Sequence, residues 1–155
     1  MKKLLILHSS ELSNSSASYI FGYINAFKTS KIFSAKILNI VTHNPFSERT
    51  NRWSIFFKKF DAIVLLHSVF AASKPKITDK WLSEIKKRKI PIIFFIANEF
   101  YKMPQKIEFA RELNISLLVT QSFSKKVIDL YKSALNCDVI GLPNTIFEED
   151  KFKSR

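Results

Sequence analysis

Asp61-Ala62-Ile63-Val64-Leu65-Leu66-His67 is the stretch that decides the fold. Its apolar residues run without alternation, so both faces of a strand here must be buried, as in a parallel sheet covered on each side. Working outward, the same kind of run recurs at residues 3–8, 91–96 and 115–119, with further strands expected at 36–41 and 137–140. Helical stripes lie between the runs. Ile20, Tyr23, Ile24 and Phe27 follow the i, i+3, i+4, i+7 spacing of one buried helix face, and Trp53, Phe56, Phe57 and Phe60 repeat it. Trp81, Leu82 and Ile85 follow Thr78 as N-cap, and Pro104 suits the first turn of a helix carrying Ile107, Ala110 and Leu113. Ser124 is expected to cap a last helix with Val127, Ile128, Tyr131, Ala134 and Leu135, which Asn136 can close in the left-handed conformation. Strict strand–helix alternation predicts an α/β fold: a doubly wound, mainly parallel sheet of about six strands with helices on both faces. One domain spans residues 1–147, and the polar residues 148–155 read as a tail or the start of a linker.

Composition narrows the chemistry. The chain of 155 residues contains only two glycines, Gly22 and Gly141, so neither of the usual glycine-rich phosphate cradles can be written. Lys and Arg exceed Asp and Glu by 25 to 13, a net charge of +12 that favours encounter with anionic partners. Cys137 is the only cysteine, which excludes an internal disulfide and a multi-cysteine zinc site. Residues 1–7 are too short for a signal sequence, and no apolar run approaches the ~20 residues of a membrane span. A cytoplasmic protein is expected, or one peripheral to the inner face of a membrane. The aromatic and basic residues 49–60 and the run Lys86-Lys87-Arg88-Lys89 are the segments that would meet an anionic membrane surface. Aromatic-basic recognition motifs for nucleic acid are missing, so nucleic acid is not an expected partner.

In open α/β sheets ligands bind beyond the carboxyl ends of the strands. Polar residues gather there: His8-Ser9-Ser10-Glu11 after the first strand, His43 after the second and His67-Ser68 after the third. Asn98-Glu99 follow the fourth, Gln121-Ser122 the fifth and Asn144 the sixth, and all three histidines fall on this edge. His8, His43 and His67 have no fixed mutual spacing, so no metal site is expected. A serine hydrolase lacks its G-x-S-x-G elbow, and a phospho-receiver lacks acidic residues after the first and third strands. The serine-rich loop 8–16 leaves open a non-catalytic Rossmann-like or flavodoxin-like module that holds an anionic small molecule at a helix N-terminus.

The C-terminal half adds a resemblance. Lys89-Ile90-Pro91-Ile92-Ile93-Phe94-Phe95 followed by Asn98-Glu99, the stretch Ile115-Ser116-Leu117-Leu118-Val119-Thr120-Gln121-Ser122, and the exit Val139-Ile140-Gly141-Leu142-Pro143-Asn144-Thr145-Ile146 resemble the N-terminal, Rossmann-like domain of GT-B glycosyltransferases, in particular retaining family 4 (group 1) proteins. Phe152 and Lys153 continue as the interdomain linker of that family does. Ser9-Ser10-Glu11-Leu12 stands where family members often carry glycines, and Thr145 replaces the glycine of the exit motif. The resemblance implies the acceptor-binding half of a nucleotide-sugar-dependent glycosyltransferase of surface polysaccharide or glycolipid synthesis. Its donor would be held by a second domain or partner chain, its acceptor would be a glycan or lipid-linked sugar, and no cofactor would be bound tightly. Glu99 and His67 would be candidates for the acceptor-side base. His8, Ser9, Ser10, Glu11, His43 and Asn98 would line the acceptor cleft, and Gln121, Ser122 and Asn144 would face the interdomain crevice.

Overall fold

The computed structural model describes residues 1–9, 18–40, 59–70 and 74–143. In chain order these form β1 (Lys2–His8), α1 (Ser18–Thr29), β2 (Phe33–Asn39), β3 (Ala62–Leu65), a 3-10 turn (His67–Phe70), α2 (Asp79–Lys87), β4 (Ile92–Phe95), α3 (Met103–Glu112), β5 (Leu117–Thr120), α4 (Lys125–Leu135) and β6 (Asp138–Gly141). The six strands make one sheet in the order β2-β1-β3-β4-β5-β6. Every neighbouring pair is parallel, with Ile6 registered between Ile37 and Val64 and Ile93 between Val64 and Leu117. The fold is α/β, Rossmann-like and doubly wound. No described helix is long and apolar enough to cross a membrane.

The pleat sorts the apolar runs into two cores. Leu5, Leu7, Ile63, Leu65, Phe94 and Leu118 point to one face and meet Trp81 and Ile85 of α2, Phe109 of α3 and Tyr131 and Leu135 of α4. Ile6, Val64, Leu66, Phe95 and Val119 point to the other and meet Ile20, Tyr23 and Ile24 of α1. Leu5, Ile6, Leu7 and Ile63 through Leu66 are essentially inaccessible to water. Each such side chain stabilises the fold by about 1.5–3 kcal/mol relative to exposure, which is why continuous apolar runs end in the middle of the sheet. The step from β1 to β2 runs opposite to the steps from β3 onward. With right-handed crossovers, that reversal places α1 on one face and α2–α4 on the other.

Tertiary pairing shifts several boundaries. β2 starts at Phe33, three residues ahead of the expected strand, because Phe33 pairs with Lys2. β3 ends at Leu65. Leu66 still donates its N–H to the Leu7 carbonyl (3.0 Å), and the chain then turns, with the Val69 N–H donating to the Leu66 carbonyl (2.9 Å). β6 extends through Gly141, which pairs with Thr120. Pro104 lies in the first turn of α3, and Asn136 closes α4 at φ 51°. Thr78 and Ser124 stand at the N-cap positions of α2 and α4 with extended backbones, but neither side chain makes the expected capping bond. The helix expected over residues 49–60 lies outside the described residues except for Lys59, which is exposed, and Phe60, which is buried in the same core as Trp81 and Ile85. Residues 148–155 lie outside them too.

Gly141 has a steric reason. A Cβ there would stand 2.6 Å from the Ser122 carbonyl oxygen and 3.1 Å from the Phe123 ring, so β6 could not keep its distance from the β5 exit. Gly141→Ala is expected to lower unfolding stability by about 1–3 kcal/mol in urea titration. An unchanged midpoint would show that the two backbones separate without cost.

Candidate functional site at the carboxyl edge of the sheet

β1 and β3 are neighbours whose connections leave in opposite directions, so a crevice opens between their carboxyl ends, where ligands of such sheets bind. The exits of both strands are polar and buried: His8, Ser9, His67 and Ser68 are each less than a tenth exposed. The Ser9 N–H donates to Ser68 Oγ (3.0 Å), joining the two exits, while the His8 carbonyl accepts from the Ile40 N–H (2.8 Å). The Ser9 hydroxyl is itself buried and has no hydrogen-bond partner among the described residues. Tyr23 of α1 stands edge-on to the His67 ring at 6.4 Å, and its hydroxyl donates to the Pro143 carbonyl (2.9 Å) beyond β6. Helix α1 thereby ties the crevice to the last strand exit.

Electrostatics keep this crevice neutral. Burial, helped by the nearby Lys106 ammonium, pushes the His67 imidazole down to about 4. Burial, and then Lys28, lowers His8 as well. At physiological pH the floor is therefore two uncharged imidazoles and two hydroxyls. Among the described residues no three His, Cys, Asp or Glu side chains converge as metal ligands would.

A second cluster holds the exits of β4 and β5. Glu99 Oε1 accepts from the Thr120 hydroxyl (2.6 Å) and the Gln121 N–H (2.8 Å), and Oε2 accepts from the Tyr131 hydroxyl of α4. Both carboxylate oxygens are thus committed to the protein, the pattern of a group that positions its loop. The Tyr131 phenol is pushed up by burial and, secondarily, by the Glu99 carboxylate. Lys106, only 1% exposed, donates to the carbonyls of Ala97 (2.6 Å) and Asn98 (2.8 Å). Burial lowers its ammonium and the Glu99 carboxylate opposes that shift. Lys106 thus connects the clusters electrostatically, acting on His67 to one side and on Glu99 to the other.

Of the residues expected from sequence, the structure brings His8, Ser9 and His67 together, and separately groups Glu99 with Gln121. Asn98 takes the left-handed conformation (φ 50°) with its carbonyl on Lys106 and its side chain exposed. The side-chain amide nitrogen of Gln121 is buried without a partner among the described residues. The Ser122 N–H donates to Thr120 Oγ1 (3.1 Å), and Ser122 Oγ accepts from the Ser124 N–H (3.2 Å). Ser10, Glu11, His43 and Asn144 lie outside the described residues. Lys106, Thr120 and Tyr131 were not foreseen as site residues. The signal for Lys106 is its place: with Phe109, Ala110 and Leu113 it completes an i, i+3, i+4, i+7 stripe whose other members are all buried.

Two outcomes follow. Glu99→Gln, which leaves one acceptor oxygen for three donors and sets an amide donor against at least one of them, should cost about 1–3 kcal/mol in urea unfolding and exceed the loss from Tyr131→Phe, which removes one bond; equal or smaller losses would deny the carboxylate its bracing role. For His67, the unfolded chain binds a proton near 6.5 and the folded one only near 4, so stability is intact above pH 6.5 and falls as pH drops through that window. The expected loss is about 3 kcal/mol, and His67→Gln should flatten this part of the stability–pH curve.

The chain matches no known family model, and no curated protein is similar to it in sequence.

Proposed function

We propose that this chain is the acceptor-binding half of a nucleotide-sugar-dependent glycosyltransferase, working in the cytoplasm with a donor-binding domain or partner chain. The observation that carries the reading is the buried Ser9 hydroxyl, unpartnered among the described residues, at the β1/β3 crevice. A buried hydroxyl without a partner costs stability, so such a group is kept where a ligand completes it. Its neighbours suit that ligand. Ser68 and two neutral imidazoles offer both donors and acceptors without charge, as the hydroxyls of a sugar require. The resemblance of residues 90–153 to GT-B acceptor domains supports the same assignment.

In this reaction an acceptor hydroxyl oxygen attacks the anomeric carbon of the donor sugar, the bond from that carbon to the diphosphate breaks, and the hydroxyl proton passes to a base. His67 is neutral at physiological pH and can accept that proton, although its depressed basicity makes it a weak base. Glu99 contributes by fixing the β4 and β5 exits, with Asn98 and Gln121 along the cleft. The positive charge that stabilises the leaving diphosphate belongs to the donor-binding half.

The test is a glycan array probed with the isolated chain, with calorimetric titration of UDP-glucose and of flavin mononucleotide alongside. Expected are binding of neutral glycans, weakened at least about fivefold by Ser9→Val, and weak or absent binding of UDP-glucose. Tight flavin or UDP-glucose binding with no glycan captured would overturn the reading in favour of an anion-binding module.

A further inference from the structure

The carboxyl edge is divided. Beyond β1 and β3 it is polar and buried, whereas each of β4, β5 and β6 leaves the sheet with a large apolar side chain held out in water. Phe100 is 91% exposed and Tyr101 47% after β4, Phe123 is 67% exposed after β5, and Leu142 is 40% exposed after β6. None of these serves the cores described above.

The loops that carry them are braced. Glu99 bonds to Thr120 and Gln121, which sets the β4 exit against the β5 exit. The Phe123 ring lies 3.1 Å from the point that a Gly141 Cβ would occupy, which sets it beside the β6 exit. Lys106 holds the Ala97 and Asn98 carbonyls from beneath, and the Tyr101 N–H donates to the Asn98 carbonyl (2.9 Å). Asn98 and Lys102 both take left-handed conformations on either side of Phe100 and Tyr101, at φ 50° and 54°. That conformation is unfavourable for a lysine. A loop with this much internal support, and some backbone strain, does not leave a phenylalanine in water for want of folding. It presents it.

Charge surrounds the rim. Lys102 lies with Nζ 5.8 Å from the Tyr101 ring centroid, and Lys125 and Lys126 are exposed at the start of α4, separated from Phe123 by Ser124 alone. Asp129 is the first acidic residue in α4. Apolar tips with lysines at their base are complementary to an anionic lipid surface, in which aromatic rings enter the interface and ammonium groups meet phosphates. The other basic run, Lys86 to Lys89, stands at the opposite edge, between the end of α2 and the start of β4, where Lys86 faces Glu112 and Lys87 faces Glu84. Single-stranded nucleic acid also takes aromatic and basic groups, but it stacks on rings set in a groove that tracks its backbone, not on loop tips that project from three strand exits.

We infer that the β4–β6 rim, through Phe100, Tyr101 and Phe123 with Lys102, Lys125 and Lys126, is a docking surface for an anionic lipid bilayer. Docking there turns the carboxyl edge, and with it the β1/β3 crevice, toward the membrane. The inference holds whatever the crevice binds, and its test uses no sugar.

The chain is sedimented with phosphatidylcholine vesicles with or without roughly 30 mol % phosphatidylglycerol. It should bind the anionic vesicles, and Phe100→Ser combined with Phe123→Ser should weaken partitioning at least about tenfold. Lys125→Glu with Lys126→Glu should do the same at low salt, whereas Lys86→Glu with Lys87→Glu should leave binding within about twofold. Unchanged urea midpoints establish that the variants are folded. Independently, Phe100→Trp should shift its emission to the blue on anionic vesicles and be quenched by brominated lipid. Absence of vesicle binding, binding that ignores the phenylalanines, binding that follows Lys86 and Lys87, or phenylalanine-dependent binding of oligo(dT) in place of vesicles would each overturn the proposal.

Discussion

The structure depends on the burial of β3 on both faces at once. From Ala62 to Leu66 every side chain is removed from water, alternately toward α2–α4 and toward α1. A strand in that position must have partners on both edges and cover on both sides, and parallel strands joined by crossover connections supply both. Because β1 lies beside β3 while its own connection runs the other way, the reversal of winding falls between these two strands. The core and the location of the crevice are therefore consequences of one constraint.

A buried charge system governs the rest of the carboxyl edge. Lys106 is placed by the helical stripe of α3 beneath the β4 exit, where two backbone carbonyls accept its hydrogen bonds and the Glu99 carboxylate lies near enough to favour the charged form. Glu99 in turn uses both oxygens on Thr120, Gln121 and Tyr131. Each buried polar group in this chain of contacts depends on the next, which makes the system costly to break and rigid when intact. That rigidity lets the edge keep a neutral polar crevice at one end and exposed aromatic tips at the other.

Much of the fold was legible in local patterns. The apolar runs of β1, β3, β4 and β5 carry no alternation, and the stripes at Ile20–Phe27, Trp81–Ile85 and Val127–Leu135 have helical period, so element type and order followed directly. Strand ends were not legible in the same way. Phe33 enters β2 because Lys2 lies opposite it, and Gly141 enters β6 because Thr120 does; neither partner is near in sequence. The expected caps at Thr78 and Ser124 marked the right positions although their side chains do not make the capping bond.

The sequence by itself determined which residues would stand at the strand exits, since a polar residue ending an apolar run must leave the sheet where the run stops. It placed His8, Ser9, His67 and Glu99 on one edge. Only the tertiary structure decided that the first three share a crevice while Glu99 belongs to a separate brace, because that follows from strand order and not from spacing. It also decided the role of Lys106, Thr120 and Tyr131, whose chemistry arises from carbonyls and a carboxylate brought to them across the sheet. Exposure belongs to the same class: Phe100 and Phe123 look like any core aromatic in one dimension, and only the packing of the chain leaves them outside.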